Sequence, residues 1–345
     1  MSVTLVEGTR GPLVETVHRG DLAVVDREGR LRCSAGDPRS KRAFIRSAAK
    51  PFQAMPIVYT GAFERWDFDY ADLALFCGSH NGEPVHTERV ASVLARMGLG
   101  ANDLRCGVHP PLDADTAKAM RAARQEPTPL HSNCSGKHAG MLALALHLGA
   151  DPDGYLDPGH PVQREILSSV ARMAGTEPAD IPLGIDGCGV PCFGLTVFEA
   201  AVAFARLADP GGLAEPYRGA AMRVRDAMRA HPYLVAGRGR FDTDLMTAGA
   251  GRFVAKGGAS GVQGVGVVDG GTGVAVKIED GGSPPYSQAA VASIEALRQV
   301  GALDEPALAA LATHARPLIR NVAGREVGGA RPAFTLVAVH RQCAG

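Results

Sequence analysis

The sequence predicts an α+β fold in which one antiparallel sheet is built from both chain ends and the middle of the chain forms a mostly helical lobe. Three observations carry that prediction. Apolar and polar residues alternate with period two near both ends, and the middle shows helical periodicity bracketed by proline and glycine. A chain of 345 residues with 46% hydrophobic content can also bury more core than one compact lobe holds. Residues 1–42 with 250–345 are therefore expected to form a sheet-and-helix lobe, and 43–249 a mostly helical lobe, with the active site at their junction.

Taken in order, residues 3–7, 12–18, 21–26 and 29–33 alternate, with turn signals at Arg10-Gly11, Arg19-Gly20 and Glu28-Gly29, so antiparallel hairpins are expected. The helical middle starts near Ser47: Pro51 suits a first turn, where its missing N–H is harmless, and Ser47 is placed to cap it. Pro56 is expected to kink that helix. Residues 84–97 are amphipathic, begin at a proline and stop at Gly98, and 115–124 form another helix. Residues 135–148 are more apolar and stop at Gly149, which predicts a buried helix presenting Lys137 and His138 near its first turn. Helices over 161–174, 196–208 and 213–230 follow. Strand character returns at 251–256, 261–268 and 273–279, with Asp269-Gly270-Gly271 as a hairpin turn. Residues 286–300 read as a helix and 332–340 as the strand that closes the sheet.

Composition excludes several roles. A formal net charge of +0, with no basic stripe, argues against nucleic acid, whose binding needs phosphate neutralisation. Apolar runs are too short to cross a bilayer, and the start, Met1-Ser2-Val3-Thr4-Leu5, lacks the pattern of an export signal, so a cytoplasmic protein is expected. Seven cysteines, an odd number, read as thiols or metal ligands rather than as a disulfide framework.

The chemistry-bearing motifs start with Ser47-Ala48-Ala49-Lys50. Residues three apart share a helix face, so the Lys50 amine is expected to reach the Ser47 hydroxyl and take its proton. Ser79-His80-Asn81 has the form Ser-x-Asn, and Lys256-Gly257-Gly258 follows an apolar strand. Class A β-lactamases and penicillin-binding proteins use Ser-x-x-Lys, Ser-x-Asn and Lys-Thr-Gly in that order, although here Gly257 stands in place of the hydroxyl residue. Together with His131-Ser132-Asn133-Cys134-Ser135-Gly136-Lys137-His138 and Gly184-Ile185-Asp186-Gly187-Cys188-Gly189, these motifs give a chain that resembles the L-asparaginase II family of the rhizobial type over nearly its whole length.

That resemblance implies a serine β-lactamase/penicillin-binding-protein-like fold, a homodimer and two Ser-Lys tandems, Ser47 with Lys50 and Ser79 with Lys256. Either serine could attack; Ser47 is the first choice, with Lys50 as its base. Lysine acts as a base only if burial or a second cation lowers its pKa, which Lys256 could supply. By themselves, Cys134, Cys188 and Cys192 match no ordinary zinc module and read as buried thiols. The resemblance implies instead a zinc ion held by Cys134, Lys137 and Cys188, supporting the site rather than supplying the nucleophile.

An amino-acid substrate asks for a cation for its carboxylate, for which Arg46 is the candidate, and an anion for its ammonium, for which Asp186 is. Asn81 is the candidate for the side-chain amide, and His138 could orient a metal-bound water, touch substrate or pack as a helix histidine. The expected reaction is hydrolysis of L-asparagine. The alternatives are another Ser-Lys acyl hydrolase, esterase or penicillin-recognising, or a zinc- or amino-acid-binding module without turnover.

Overall fold

The computed structural model describes residues 1–284 and 286–339. Its main sheet has nine antiparallel strands: β1 (Val3–Arg10), β2 (Leu13–Val25), β3 (Leu31–Ala35), β7 (Phe253–Gly258), β8 (Val262–Val267), β9 (Thr272–Ile278), β10 (Leu318–Arg320), β11 (Glu326–Pro332) and β12 (Val337–Ala338), with β4 (Arg42–Phe44), β5 (Leu183–Ile185) and β6 (Pro191–Thr196) forming a small sheet of their own. The spatial order is β10-β11-β1-β2-β9-β8-β7, with β3 beside β2 and β12 beside β3. Strands from the first and last parts of the chain thus combine in one antiparallel sheet, as expected of the α+β fold.

Where the two expected strands 12–18 and 21–26 were separated by Arg19-Gly20, a single strand runs. Gly20 is paired with Val3 on one side and with Ile278 on the other, so both neighbours hold it extended. The closing strand also differs: β11 ends at Pro332, where the expected strand begins, and only Val337–Ala338 continues in the sheet, against β3. The expectation for His340 lies outside the described residues.

The sheet is covered on both faces. The helix Val197–Ala208, capped by Thr196, packs on β2, β8 and β9, and Gln288–Gln299, capped by Ser287, packs on β9, β8 and β11. Strand β8 is accordingly buried at every residue, as a strand sandwiched between helices must be. The helical lobe follows the predicted spacing closely, with Pro84–Arg96, Ser135–His147 and Pro161–Ala174 all starting where the sequence places them. Phe52 meets Phe204 edge to face at 5.3 Å, joining the helix Lys50–Tyr59 to the layer that covers the sheet. Among the described residues no helix is long and apolar enough to cross a membrane.

Candidate active site

Ser47 lies in a single 3₁₀ turn, Arg46–Ala49, which runs directly into the helix Lys50–Tyr59 with Pro51 in its first turn. The expected capping role is not realised. The caps are Ile45 and Ala49, neither using a side chain, so the Ser47 hydroxyl is not engaged by the helix end. Like other N–H groups at a helix start, that of Ser47 has no hydrogen-bond partner among the described residues. Arg46 adopts φ +50°, a left-handed conformation that costs a non-glycine residue about 1 kcal/mol and that the surrounding structure must hold. The holding contacts are visible: Arg46 donates from Nε (2.9 Å) and Nη2 (2.6 Å) to Asp186 Oδ1. On the other side the end of β7 presses on the turn, and a Cβ added to Gly258 would stand 2.4 Å from the Ile45 carbonyl oxygen. Only glycine permits that approach.

Lys50 is buried, yet it does not hydrogen-bond to Ser47. Its Nζ donates to the carbonyls of Gly78 (2.6 Å) and Asn133 (3.2 Å), because a buried amine must find acceptors. Cys134 lies against the same amine, so two carbonyls and a sulfur surround it. Burial pushes Lys50 down to about 8; Cys134 opposes this and the charges of Lys137 and Lys256 add to it. Lys256 is also fully buried but differently placed, with Nζ donating to Asp242 Oδ2 (3.2 Å) and to the Gly257 carbonyl (2.7 Å). Burial lowers its pKa while Asp242 opposes the shift. Asp242 in turn accepts the Gly257 N–H (2.9 Å) and the Gln263 amide (2.9 Å). Burial works against its charge, but Lys256 and these donors outweigh it and hold the carboxyl below its ordinary range. Lys256 therefore has a carboxylate to keep it an ammonium, and Lys50 has none.

Ser47 and Ser79 open into one cavity of about 470 Å³, whose wall also includes Asn133, Arg240, Asp242, Gly257, Gly258, Tyr286 and His314. Ser79 Oγ is buried with no hydrogen-bond partner among the described residues. Its neighbour His80 is a bracket: Ser135 Oγ donates to the Leu130 carbonyl (2.9 Å), so it accepts from His80 Nε2 (3.0 Å), while His80 Nδ1 accepts the Gly82 N–H (3.2 Å). Asn81 is turned into the protein. Its Nδ2 donates to Glu83 (3.3 Å) and the Arg238 carbonyl (3.1 Å), and its Oδ1 accepts from Arg240 (3.0 Å), so direct contact with a substrate amide is replaced by support of Arg240.

A second cluster lies beside the first. Lys137 Nζ is 2.9 Å from Cys188 Sγ, and Cys134 lies against both Cys188 and Lys50. A hydrogen bond from the Cys188 thiol holds Cys134 below the ordinary thiol range, and the same bond together with burial pushes Cys188 up. Among the described residues no three His, Cys, Asp or Glu side chains converge, so a metal here would need the Lys137 amine as third donor. Two sulfurs and an amine meeting at one buried point fit a zinc ion's donor preferences. His138 stands close by. Tyr155 Oη accepts the Arg105 N–H (2.9 Å) and shares a hydrogen bond with His138 Nδ1 (2.7 Å), and the buried His138 Nε2 has no partner among the described residues. Arg46 and Asp186, expected to meet opposite ends of a substrate, are each other's counter-ion.

The sequence matches the L-asparaginase II family over residues 6–332. The chain belongs to the L-asparaginase II family. No curated protein matches it. Solved structures similar to it include a β-lactamase from Mycobacterium bovis (14% identity, 82% of this chain and 95% of that one, TM-score 0.41) and a protein from Bacteroides dorei assigned to the β-lactamases (13% identity, 81% and 92%, TM-score 0.43). Mglu in its native form is also similar (21% identity, 83% and 61%, TM-score 0.37).

Membership of the L-asparaginase II family makes the chain a hydrolase with a small-molecule substrate. Three residues on the wall of this family member's cavity were missed from sequence: Asp242, Arg240 and Asn133. Asp242 carried a weak signal, an acid ahead of an apolar strand, and Arg240 stands in the turn-forming run Gly237-Arg238-Gly239-Arg240. Asn133 lay beside Cys134 in a motif already noted, where the cysteine drew the reading.

Proposed function

We propose that the protein hydrolyses L-asparagine to L-aspartate and ammonia by Ser-Lys acyl transfer. The observation that carries this reading is that two serines share one cavity while the two motif lysines are buried with different partners, Lys50 on carbonyls and Lys256 on Asp242. Ser47 Oγ bonds to the side-chain carboxamide carbon and its proton passes to the Lys50 amine. The N–H of Ser47 faces the charge that develops on the carboxamide oxygen. As the C–N bond breaks, ammonia leaves with a proton relayed through Ser79 from the Lys256 ammonium; water then cleaves the Ser47 ester, giving its proton through Ser79 to Lys256 while Lys50 returns its proton to Ser47 Oγ. The cavity lies between residues of the helical middle and of the C-terminal strands, which supports a site at the junction of two lobes. Cys134, Lys137 and Cys188 would hold zinc, which when bound supplies fixed positive charge for positioning; His138 Nε2, without a partner among the described residues, is free to meet a polar group. A homodimer and a cytoplasmic location belong to the same reading.

The test is ammonia release from L-asparagine by the wild type and by Ser47→Ala. Loss of at least about a thousandfold in kcat with an unchanged melt is expected. Near-normal turnover by folded Ser47→Ala would remove Ser47 from the reaction, and turnover of an ester or β-lactam in place of asparagine would replace the substrate assignment.

A further inference from the structure

Arg240 is the one cation on the cavity wall that has no anionic partner among the described residues. Asp242 is paired with Lys256 at 3.2 Å, and His314 with Asp244 at 2.7 Å, while Arg46, the other arginine near the nucleophile, is bound to Asp186. Among the described residues Arg240 forms no ion pair; its Nη1 donates to Asn81 Oδ1 (3.0 Å) and to the Ser79 carbonyl (3.5 Å), and its Nε and Nη2 find no hydrogen-bond partner there. A guanidinium held by one amino group, with its Nε and second amino group free, presents the fork that accepts a carboxylate through two parallel bonds.

The support behind it is specific. Tyr233 Oη donates to Glu83 Oε2 (2.5 Å), Glu83 Oε1 accepts from Asn81 Nδ2 (3.3 Å) and from the Arg238 N–H (3.3 Å), and Asn81 holds Arg240. The loop that carries Arg240 closes onto this chain at Gly237, which takes φ +106° and where a Cβ would stand 2.5 Å from Glu83 Oε1. Five groups therefore fix a cation that forms no ion pair among the described residues, its charge reaching Asp242 only at longer range. We propose that Arg240 is the specificity-determining residue that receives the α-carboxylate of the substrate, in place of Arg46, so that the site selects carboxamides and acyl compounds bearing a free carboxylate. This rests on the hydrolase reading above and extends it to substrate class.

Binding of L-aspartate and of β-alanine, which is aspartate without its α-carboxylate, is to be measured by calorimetry on the wild type, Arg240→Gln and Arg240→Lys. The wild type should prefer L-aspartate by at least about thirtyfold, the worth of one charge-assisted bidentate contact; Arg240→Gln should lose that preference, and Arg240→Lys should keep part of it. Should Arg240→Gln fail to fold, Arg240→Lys carries the test, because a point charge cannot reproduce the fork and its preference must still fall. A wild type without the preference, or variants that both retain it in full, overturns the proposal. Preference present with no ammonia released from L-asparagine would sink the amidohydrolase reading and leave Arg240 standing. Turnover present with KM for L-asparagine unchanged in Arg240→Gln would do the reverse.

Discussion

At the residue scale, Lys50 and Lys256 are both buried lysines near a serine, and their difference in partner decides which proton each can handle. Below about 8 Lys50 is an ammonium without a lone pair and cannot accept the Ser47 proton, so kcat/KM should rise with pH and level off above that value. A pH–rate profile that stays flat between about pH 6 and 9 removes Lys50 as the base. Asp242→Asn leaves Lys256 without its carboxylate in a fully buried setting. Breaking such a pair costs about 3–5 kcal/mol, so the melting temperature should fall by several degrees. The plateau of activity should also give way to a fall on the alkaline side, because the ammonium of Lys256 is then lost more easily. A variant with unchanged melt and unchanged profile would make Asp242 a bystander. Both lysines were legible in the sequence through their motifs. Asp242 was not, because fourteen residues separate it from Lys256 and only the fold brings them to 3.2 Å.

At the element scale, the thiol–amine cluster joins the start of the helix Ser135–His147 to the turn between β5 and β6. Metal analysis should find zinc in the wild type and lose it in Cys134→Ser and Cys188→Ser, and removal by a chelator should weaken asparagine affinity more than it lowers the maximal rate. Full retention of zinc by both variants, or no zinc that copurifies or rebinds, returns the cysteines to core thiols. The helices themselves were readable because their ends carry local signals: Pro84, Pro161 and Thr196 at starts, Gly98 and Gly175 in left-handed turns at ends. The 3₁₀ turn under Ser47 was not readable. Proline marks where a first turn lies, but nothing local says that a tighter turn precedes it and takes over the cap.

At the scale of the whole molecule, the sheet depends on strands more than three hundred residues apart, since Val6 pairs with Pro332. Removing residues 318–345 would take away β10, β11 and β12 and leave both β1 and β3 with a bare edge. The loss should rival a typical total stability of about 5–15 kcal/mol, so the truncated chain is expected to aggregate or to melt without a cooperative transition, as read by size-exclusion chromatography and circular dichroism. A monodisperse, cooperatively folded product would mean that the outer strands are an addition to an independent core.

Periodicity, caps and reactive residue types are local properties, so the α+β class, the starts of most helices and the candidate serines, lysines and cysteines could be read from the chain alone. Only the tertiary structure decided how charges pair. Arg46 with Asp186, Lys256 with Asp242 and Asn81 with Arg240 are contacts between 14 and 159 residues apart in the chain, and each changes what its members are free to do. A side chain's residue type is written at its own position; whether its charge is already satisfied depends on which distant group the fold sets beside it.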